Sequence, residues 1–280
     1  MFHFAVVSLL WGIPYLLIKV AVEDFPPAAV VAGRTLIGAS ILIPIAIYRK
    51  KFGGAVLGFK YVAFYALMEM IGPWILITTA EQKINSGLAG LLVSTVPIFA
   101  TIITSLRGDH SVWQLKRVFG IILGFIGLIL VVGIESLSGN SDPLSIAMVI
   151  VAAMGYAYAV IMVTSNLPLV DGIAINGLAM AITTVFWAPV AIAQWPSSIS
   201  MNSALSLIAL GVFSTAIAFI LFFKVMAEIG PARSSLVTYL NTAIAVLLGV
   251  IILREPLTVG IIVGLPLVLV GSYLASKKTV

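Results

Sequence analysis

The stretch Pro143-Leu-Ser-Ile-Ala-Met-Val-Ile-Val-Ala-Ala-Met-Gly-Tyr-Ala-Tyr-Ala-Val-Ile-Met-Val-Thr-Ser-Asn-Leu167 runs for 25 residues without a charged side chain. A helix rises about 1.5 Å per residue and the hydrocarbon core of a bilayer is about 30 Å thick, so this stretch is long enough to cross one. Nine more stretches resemble it: Phe2–Val22, Pro26–Tyr48, Phe59–Thr79, Ser86–Leu106, Val118–Ile134, Gly172–Trp195, Ala204–Met226, Ala232–Leu253 and Leu257–Ser276. The whole chain is 61% hydrophobic and 9% charged, with a mean hydropathy of +1.21. Soluble domains are about 45–50% apolar and about 25% charged. Backbone in lipid must satisfy its own hydrogen bonds, which selects helices. The sequence therefore predicts an all-α integral membrane protein with ten transmembrane helices.

The connections are short and carry helix breakers, as in Glu23-Asp24-Phe25-Pro26-Pro27, Ser138-Gly139-Asn140-Ser141-Asp142-Pro143 and Trp195-Pro196-Ser197-Ser198. Phe2–Val22 lacks a basic leading region and an Ala-x-Ala-like cleavage site, so it reads as a retained helix. With no cysteine, disulfides and thiolate metal sites are excluded. The net charge of +5 comes from Lys and Arg at the ends of apolar stretches, the pattern of topology signals and not of a nucleic-acid face. With the N-terminus inside, the cytoplasmic loops receive Arg49, Lys50, Lys51, Lys60, Arg107, Lys116, Arg117, Lys224, Arg233, Lys277 and Lys278. The opposite side receives mainly Glu23, Asp24, Lys83, Glu135, Asp142 and the pair Arg254–Glu255. Both termini are then expected on the cytoplasmic side of an inner membrane.

The chain also repeats itself. Trp11-Gly12-Ile13-Pro14-Tyr15 matches Met154-Gly155-Tyr156-Ala157-Tyr158, and Gly120-Ile121-Ile122-Leu123-Gly124 matches Gly260-Ile261-Ile262-Val263-Gly264, with small register slips. Two halves are expected, 1–138 and 139–280, and five spans per half would give them opposite topology in the membrane. Such inverted repeats carry a solute site near the midplane, between the halves.

In these features the chain resembles the drug/metabolite transporter superfamily in its ten-helix form, built from two EamA-type repeats. The resemblance rests on Trp11-Gly12, Pro26-Pro27 followed by Arg34, Ser94 to Pro97, Arg254-Glu255, and glycines seven apart, Gly120 with Gly127 and Gly264 with Gly271. Within the superfamily it is most similar to the YddG-type amino acid exporters. That resemblance implies export of amino acids, aromatic ones included, by alternating access. One departure is Arg107-Gly108-Asp109 at the end of the fourth span, where many relatives carry a Gly-Glu pair.

Charges deep in a membrane helix are costly and rare, so the ones that remain are candidates for function. Arg34, two turns inside the second span, and Glu69, near the middle of the third, stand at similar depth. They are expected to meet each other, either as a buried ion pair or as a site that reads a zwitterion, guanidinium for the carboxylate and carboxylate for the ammonium. Trp11, Tyr15, Tyr156 and Tyr158 are expected along a cavity flanked by the first, sixth and ninth spans, where rings stack on apolar groups or receive an ammonium. The alternative for each ring is plain helix packing. Ser94, Thr238 and Asn241 fall at matching places in the fourth and ninth spans and complete the candidate binding set. Glycines spaced Gly120-x-x-x-Gly124 and Gly260-x-x-x-Gly264 are expected to serve packing inside one chain.

Other function classes lack their residues. His3 and His110 lie outside the spans, and Asp24, Asp109, Asp142 and Asp171 lie in loops or at span ends, so a membrane enzyme has neither a histidine motif nor an intramembrane aspartyl pair to work with. No filter sequence suggests a channel. A phosphate antiporter needs several cavity cations, and only Arg34 and Lys19 are available. No Gly-x-x-x-x-Gly-Lys loop provides for ATP. A drug or toxic-cation exporter, or another metabolite permease of the same superfamily, is the alternative. The expected partners are a small zwitterionic solute and the lipid bilayer, with no cofactor, no metal and no nucleic acid, in a monomer or weak homodimer.

Overall fold

The computed structural model describes residues 2–108, 114–137, 142–229, 234 and 237–276. Asp109, His110, Trp113, Arg233, Lys277 and Lys278 lie outside them. The described residues are helical nearly throughout. Two short helices, α1 (Phe2–Gly12) and α2 (Pro14–Ala21), form the first apolar stretch, and α3 (Pro27–Tyr48) the second. A short α4 (Phe52–Leu57) leads to α5 (Phe59–Ala66), the π-helical segment Leu67–Ile71 and α6 (Gly72–Ala80). Then come α7 (Ser86–Val93), α8 (Val96–Leu106) and α9 (Leu115–Leu137). The second half holds α10 (Pro143–Asn166), α11 (Gly172–Ala193), α12 (Met201–Ala209), a π-helical segment at Leu210–Ile217 and α13 (Ala218–Ile229). It closes with α14 (Val237–Ile251) and α15 (Val259–Ser276).

Among the described residues, seven helical stretches are long and apolar enough to cross a membrane: Phe2–Ala21, Pro27–Tyr48, Phe59–Ala80, Ser86–Leu106, Pro143–Asn166, Gly172–Ala193 and Met201–Ile229. Helices α14 and α15 are apolar but shorter. The protein is thus an integral membrane protein.

Helix starts follow the local chemistry. Asp142 accepts hydrogen bonds from the Ser145 amide and hydroxyl at 3.0 and 2.8 Å, and Asp171 accepts from the amides of Ile173 and Ala174 at 2.9 and 3.2 Å. Each satisfies N–H groups that have no partner within the helix. Breaks inside the spans also have causes. Pro97 offers no N–H to the Val93 carbonyl, and the fourth span turns at Ser94-Thr95, where the two hydroxyls donate to the carbonyls of Leu91 and Leu92, each at 2.6 Å. Pro73 offers none to Glu69, and the preceding turn widens into the π segment, with Gly72 N–H donating to Leu67 O.

The helices pack where side chains are smallest. Helix α9 lies along α15 with glycine facing glycine, so that a Cβ built on Gly271 would run into the backbone of Gly124 and one on Gly127 would meet Leu267 and Val268. Helix α3 lies along α11, with Gly177 against Leu42 and Ile43 and a 2.8 Å hydrogen bond between the hydroxyls of Thr35 and Thr184. Helix α7 meets α14, where Gly87 faces Val246.

Candidate functional site

A cavity of about 760 Å³ occupies the middle of the bundle, walled by α1, α2, α3, α5, α6, α10, α11 and α13, the facing ends of α7 and α8, the two π segments and the first turns of α14. Both breaks in the third and eighth stretches place polar groups here, Glu69 on one π segment and Ser214 on the other. The wall reaches exposed Thr164 and Pro168 at the turn between α10 and α11, so the cavity runs out to the surface at that end. At the opposite end it stops at Ile18 and Ile77, both buried.

Seven of the nine residues singled out in the sequence come together on this wall: Trp11, Tyr15, Arg34, Glu69, Tyr156, Thr238 and Asn241. Two do not. Ser94 is buried in the turn of the fourth span with its hydroxyl on the Leu91 carbonyl, and its own carbonyl accepts from Ser272 Oγ at 2.8 Å. Its neighbours Val93 and Val96 line the cavity instead. Tyr158 points away from the cavity, with its ring 5.9 Å edge-on from Phe64.

The expected pairing of Arg34 with Glu69 is absent. Both side chains line the cavity, but Arg34 turns to other partners: Nε and Nη2 donate to Thr215 Oγ1 at 3.3 and 3.1 Å, and its Cζ lies 3.8 Å from the centre of the Trp74 ring. A guanidinium is flat and weakly hydrated, so an aromatic face and a hydroxyl hold it without a counter-charge. Glu69 keeps one buried oxygen, Oε2, without any hydrogen-bond partner. A buried acceptor of that kind costs free energy until something donates to it. The sequence placed both charges at one depth, but depth does not specify the direction in which a side chain leaves its helix.

Aromatic rings make most of the remaining wall. Trp11 packs edge-on against Phe219 at 5.6 Å and tilted against Phe222 at 4.5 Å, tying α1 to α13. Tyr65 donates its hydroxyl to Asn176 Oδ1 at 3.1 Å. Ser214 Oγ is buried and has no partner. Tyr65 and the phenylalanines of α13 escaped sequence reading because a ring in an apolar helix looks the same whether it faces lipid, a neighbouring helix or a cavity.

The closed end is built from polar groups. Lys19 Nζ donates to the backbone carbonyls of Glu81 at 2.6 Å and Ile84 at 2.9 Å, which are acceptors at the C-terminal end of α6. Glu255, from beyond α14, accepts from Ser86 N–H at 2.7 Å, Ser86 Oγ at 2.8 Å and Gly87 N–H at 3.2 Å, and so caps α7. Arg254 has a φ of 55°, in the left-handed region, which turns Glu255 back toward α7. Gly249 leaves the space for that carboxylate. Glu81 itself is fully buried there, a residue the sequence reading passed over because it lies just beyond the third span.

The model of the EamA-like transporter family matches residues 1–133 and again 143–277. This chain belongs to the EamA-like transporter family. It is 28% identical to the uncharacterized transporter YoaV of Bacillus subtilis (strain 168), over 96% of this chain and 93% of that protein. It is 26% identical to the uncharacterized inner membrane transporter YedA of Escherichia coli (strain K12), over 97% of this chain and 91% of that protein. A solved crystal structure with 17% sequence identity shares the fold, with a TM-score of 0.67 over 98% of this chain and 95% of the other. As an EamA-family protein the chain is a membrane transporter.

Proposed function

We propose that this EamA-family transporter exports amino acids and related small zwitterionic solutes, aromatic ones included, across the inner membrane by alternating access. In this reading ten spans form two inverted halves, 1–138 and 139–280, with both termini cytoplasmic. Support for the halves comes from the contacts of α3 with α11, α7 with α14 and α9 with α15, which join the second, fourth and fifth spans of one half to their counterparts. The two π segments also fall in counterpart spans.

One observation carries the substrate reading. The cavity holds one cation and one carboxylate that do not neutralise each other, Arg34 against Trp74 and Glu69 with a free oxygen, among aromatic walls. Its volume falls within the range of about 300–1,000 Å³ typical of small-molecule sites. A zwitterion offers a carboxylate to Arg34 and Ser214, an ammonium to Glu69, and a side chain to Trp11, Tyr15 and Tyr156. Thr238 and Asn241 supply further polar contacts. The free oxygen of Glu69 also favours a second reading, an exporter of organic cations, because a cation needs the carboxylate alone.

Uptake of a panel of labelled amino acids and quaternary ammonium compounds into liposomes holding the purified protein decides between them. Accumulation of amino acids above protein-free liposomes, with aromatic ones competing best, is expected. Accumulation of the ammonium compounds alone would overturn the zwitterion reading.

A further inference from the structure

The closed end of the cavity holds a carboxyl group with no work in the site described above. Glu81 is fully buried at the end of α6, and neither Oε1 nor Oε2 has a hydrogen-bond partner among the described residues. Its nearest cation, Lys19, spends its ammonium on two backbone carbonyls, one of them that of Glu81 itself. The other charged groups of the cluster are committed too. Glu255 caps α7, and Lys83 sits 3.7 Å from Asp142 on the neighbouring α10 start. Lys19, Glu255, Arg34 and Tyr15 act on the Glu81 carboxyl only through space. An ionised carboxylate is disfavoured in such a place, because it loses water without gaining a hydrogen-bond donor. The cavity wall ends at Ile18 and Ile77, one helical turn short of it.

We propose that Glu81 is a proton-binding site that sets whether this end of the transporter is open: it carries a proton while the end is shut and releases it to water when the end opens. This rests on the orientation proposed above, which puts the closed end on the outer side. Opening there has to part α2 from the turn between α6 and α7. That frees Lys19 from the carbonyls of Glu81 and Ile84, admits water, and lets an ionised Glu81 meet the Lys19 ammonium. The proton comes from the outer water and returns to it, so none crosses the membrane. Acid outside therefore holds this end shut and alkali opens it.

The chain has no cysteine, which makes the test direct. Ile18→Cys reports on the inner face of the closed end, and Ser198→Cys, in the exposed turn between α11 and α12, serves as the reference. In right-side-out vesicles a membrane-impermeant maleimide is applied outside, and the ratio of the two labelling rates cancels the reagent's own pH dependence. One titrating group changes an equilibrium by at most tenfold per pH unit, so over the two units between about pH 6 and about pH 8 the ratio should rise by up to about a hundredfold. Glu81→Gln should hold it low at both values, and Glu81→Asp, which still titrates, should restore the rise. A ratio that ignores pH in the parent, or a rise that persists in Glu81→Gln, overturns the proposal. No substrate is involved, so the result is independent of the amino-acid reading. A Ser198→Cys that reacts only from the inner face overturns the orientation, a different failure.

Discussion

The guanidinium carbon of Arg34 lies 3.8 Å from the centre of the Trp74 ring, and the ring takes the place that an anion would occupy in a buried ion pair. A cation on an aromatic face is held by about 0.5–2 kcal/mol, the upper figure applying out of water. Trp74→Phe should keep part of that hold, whereas Trp74→Ala should release it and lower stability by about 3 kcal/mol or more through the lost ring as well. Thermal unfolding of the detergent-solubilised variants measures this. Equal losses for Phe and Ala would show that the ring serves only to fill space.

Because Arg34 and Glu69 make no ion pair, their removal should be nearly additive. In a double-mutant cycle of Arg34→Gln with Glu69→Gln, the coupling in stability should stay below about 0.5 kcal/mol. Glu69→Gln alone should leave stability unchanged or raised, since it replaces a carboxylate with an unpartnered oxygen by a neutral amide. It should still lower uptake of any substrate bearing an ammonium. A coupling above about 1 kcal/mol would restore the ion pair that sequence depth suggests.

Gly249 should not tolerate a side chain. A Cβ there would meet the Glu255 carboxylate and lie 2.8 Å from Ser86 Oγ. Gly249→Ala is expected to dislodge the cap on α7 and cost about 1–3 kcal/mol, and Glu255→Ala to cost a similar amount. Combining the two should add little, because the second change finds the contact already lost. Full additivity by thermal unfolding would separate the glycine from the cap.

Acid should loosen two loop contacts first. The Ser200 hydroxyl and amide hold the Asp24 carboxyl below its ordinary range, and the Ser145 hydroxyl and amide do the same for Asp142. A carboxyl whose folded pKa is depressed stabilises the fold above its unfolded value, near 3.9 for Asp, and that contribution is lost as pH falls through the folded value. Asp24→Asn and Asp142→Asn should therefore flatten the acid limb of a helicity-against-pH curve in detergent while changing little near neutrality beyond a constant offset. An unchanged acid limb in both variants would show that these carboxyls do not take part.

Much of this was legible in the sequence because membrane helices announce themselves by length and polarity. The apolar stretches, the loop prolines and the glycine seam of α9 with α15 all follow from rules about lipid and backbone. Trp11, Tyr156, Thr238 and Asn241 were found through the internal repeat, which carries depth. The misses share one cause. Tyr158 lies only two residues from Tyr156, about 200° round the helix, and so faces away. Ser94 falls in the turn of a broken helix, where its hydroxyl is needed by the backbone. Glu81 sits just past a span end, and sequence has no sign for whether such a residue is wet or buried. The partners of Arg34 depend on the π segment that carries Thr215, a widening of the helix that no proline foretells.

The seam between Gly124 and Gly271 has a mechanical meaning. With backbone against backbone there are no long side chains to repack, so neither helix can slide or roll past the other without collision. In the alternating access proposed above, α9 and α15 are expected to stay together as a common spine. The movement then falls to the stretches that are already interrupted, each of which adds a residue to the cavity wall: the bend before Pro14, the turn at Ser94-Thr95 and the two π segments.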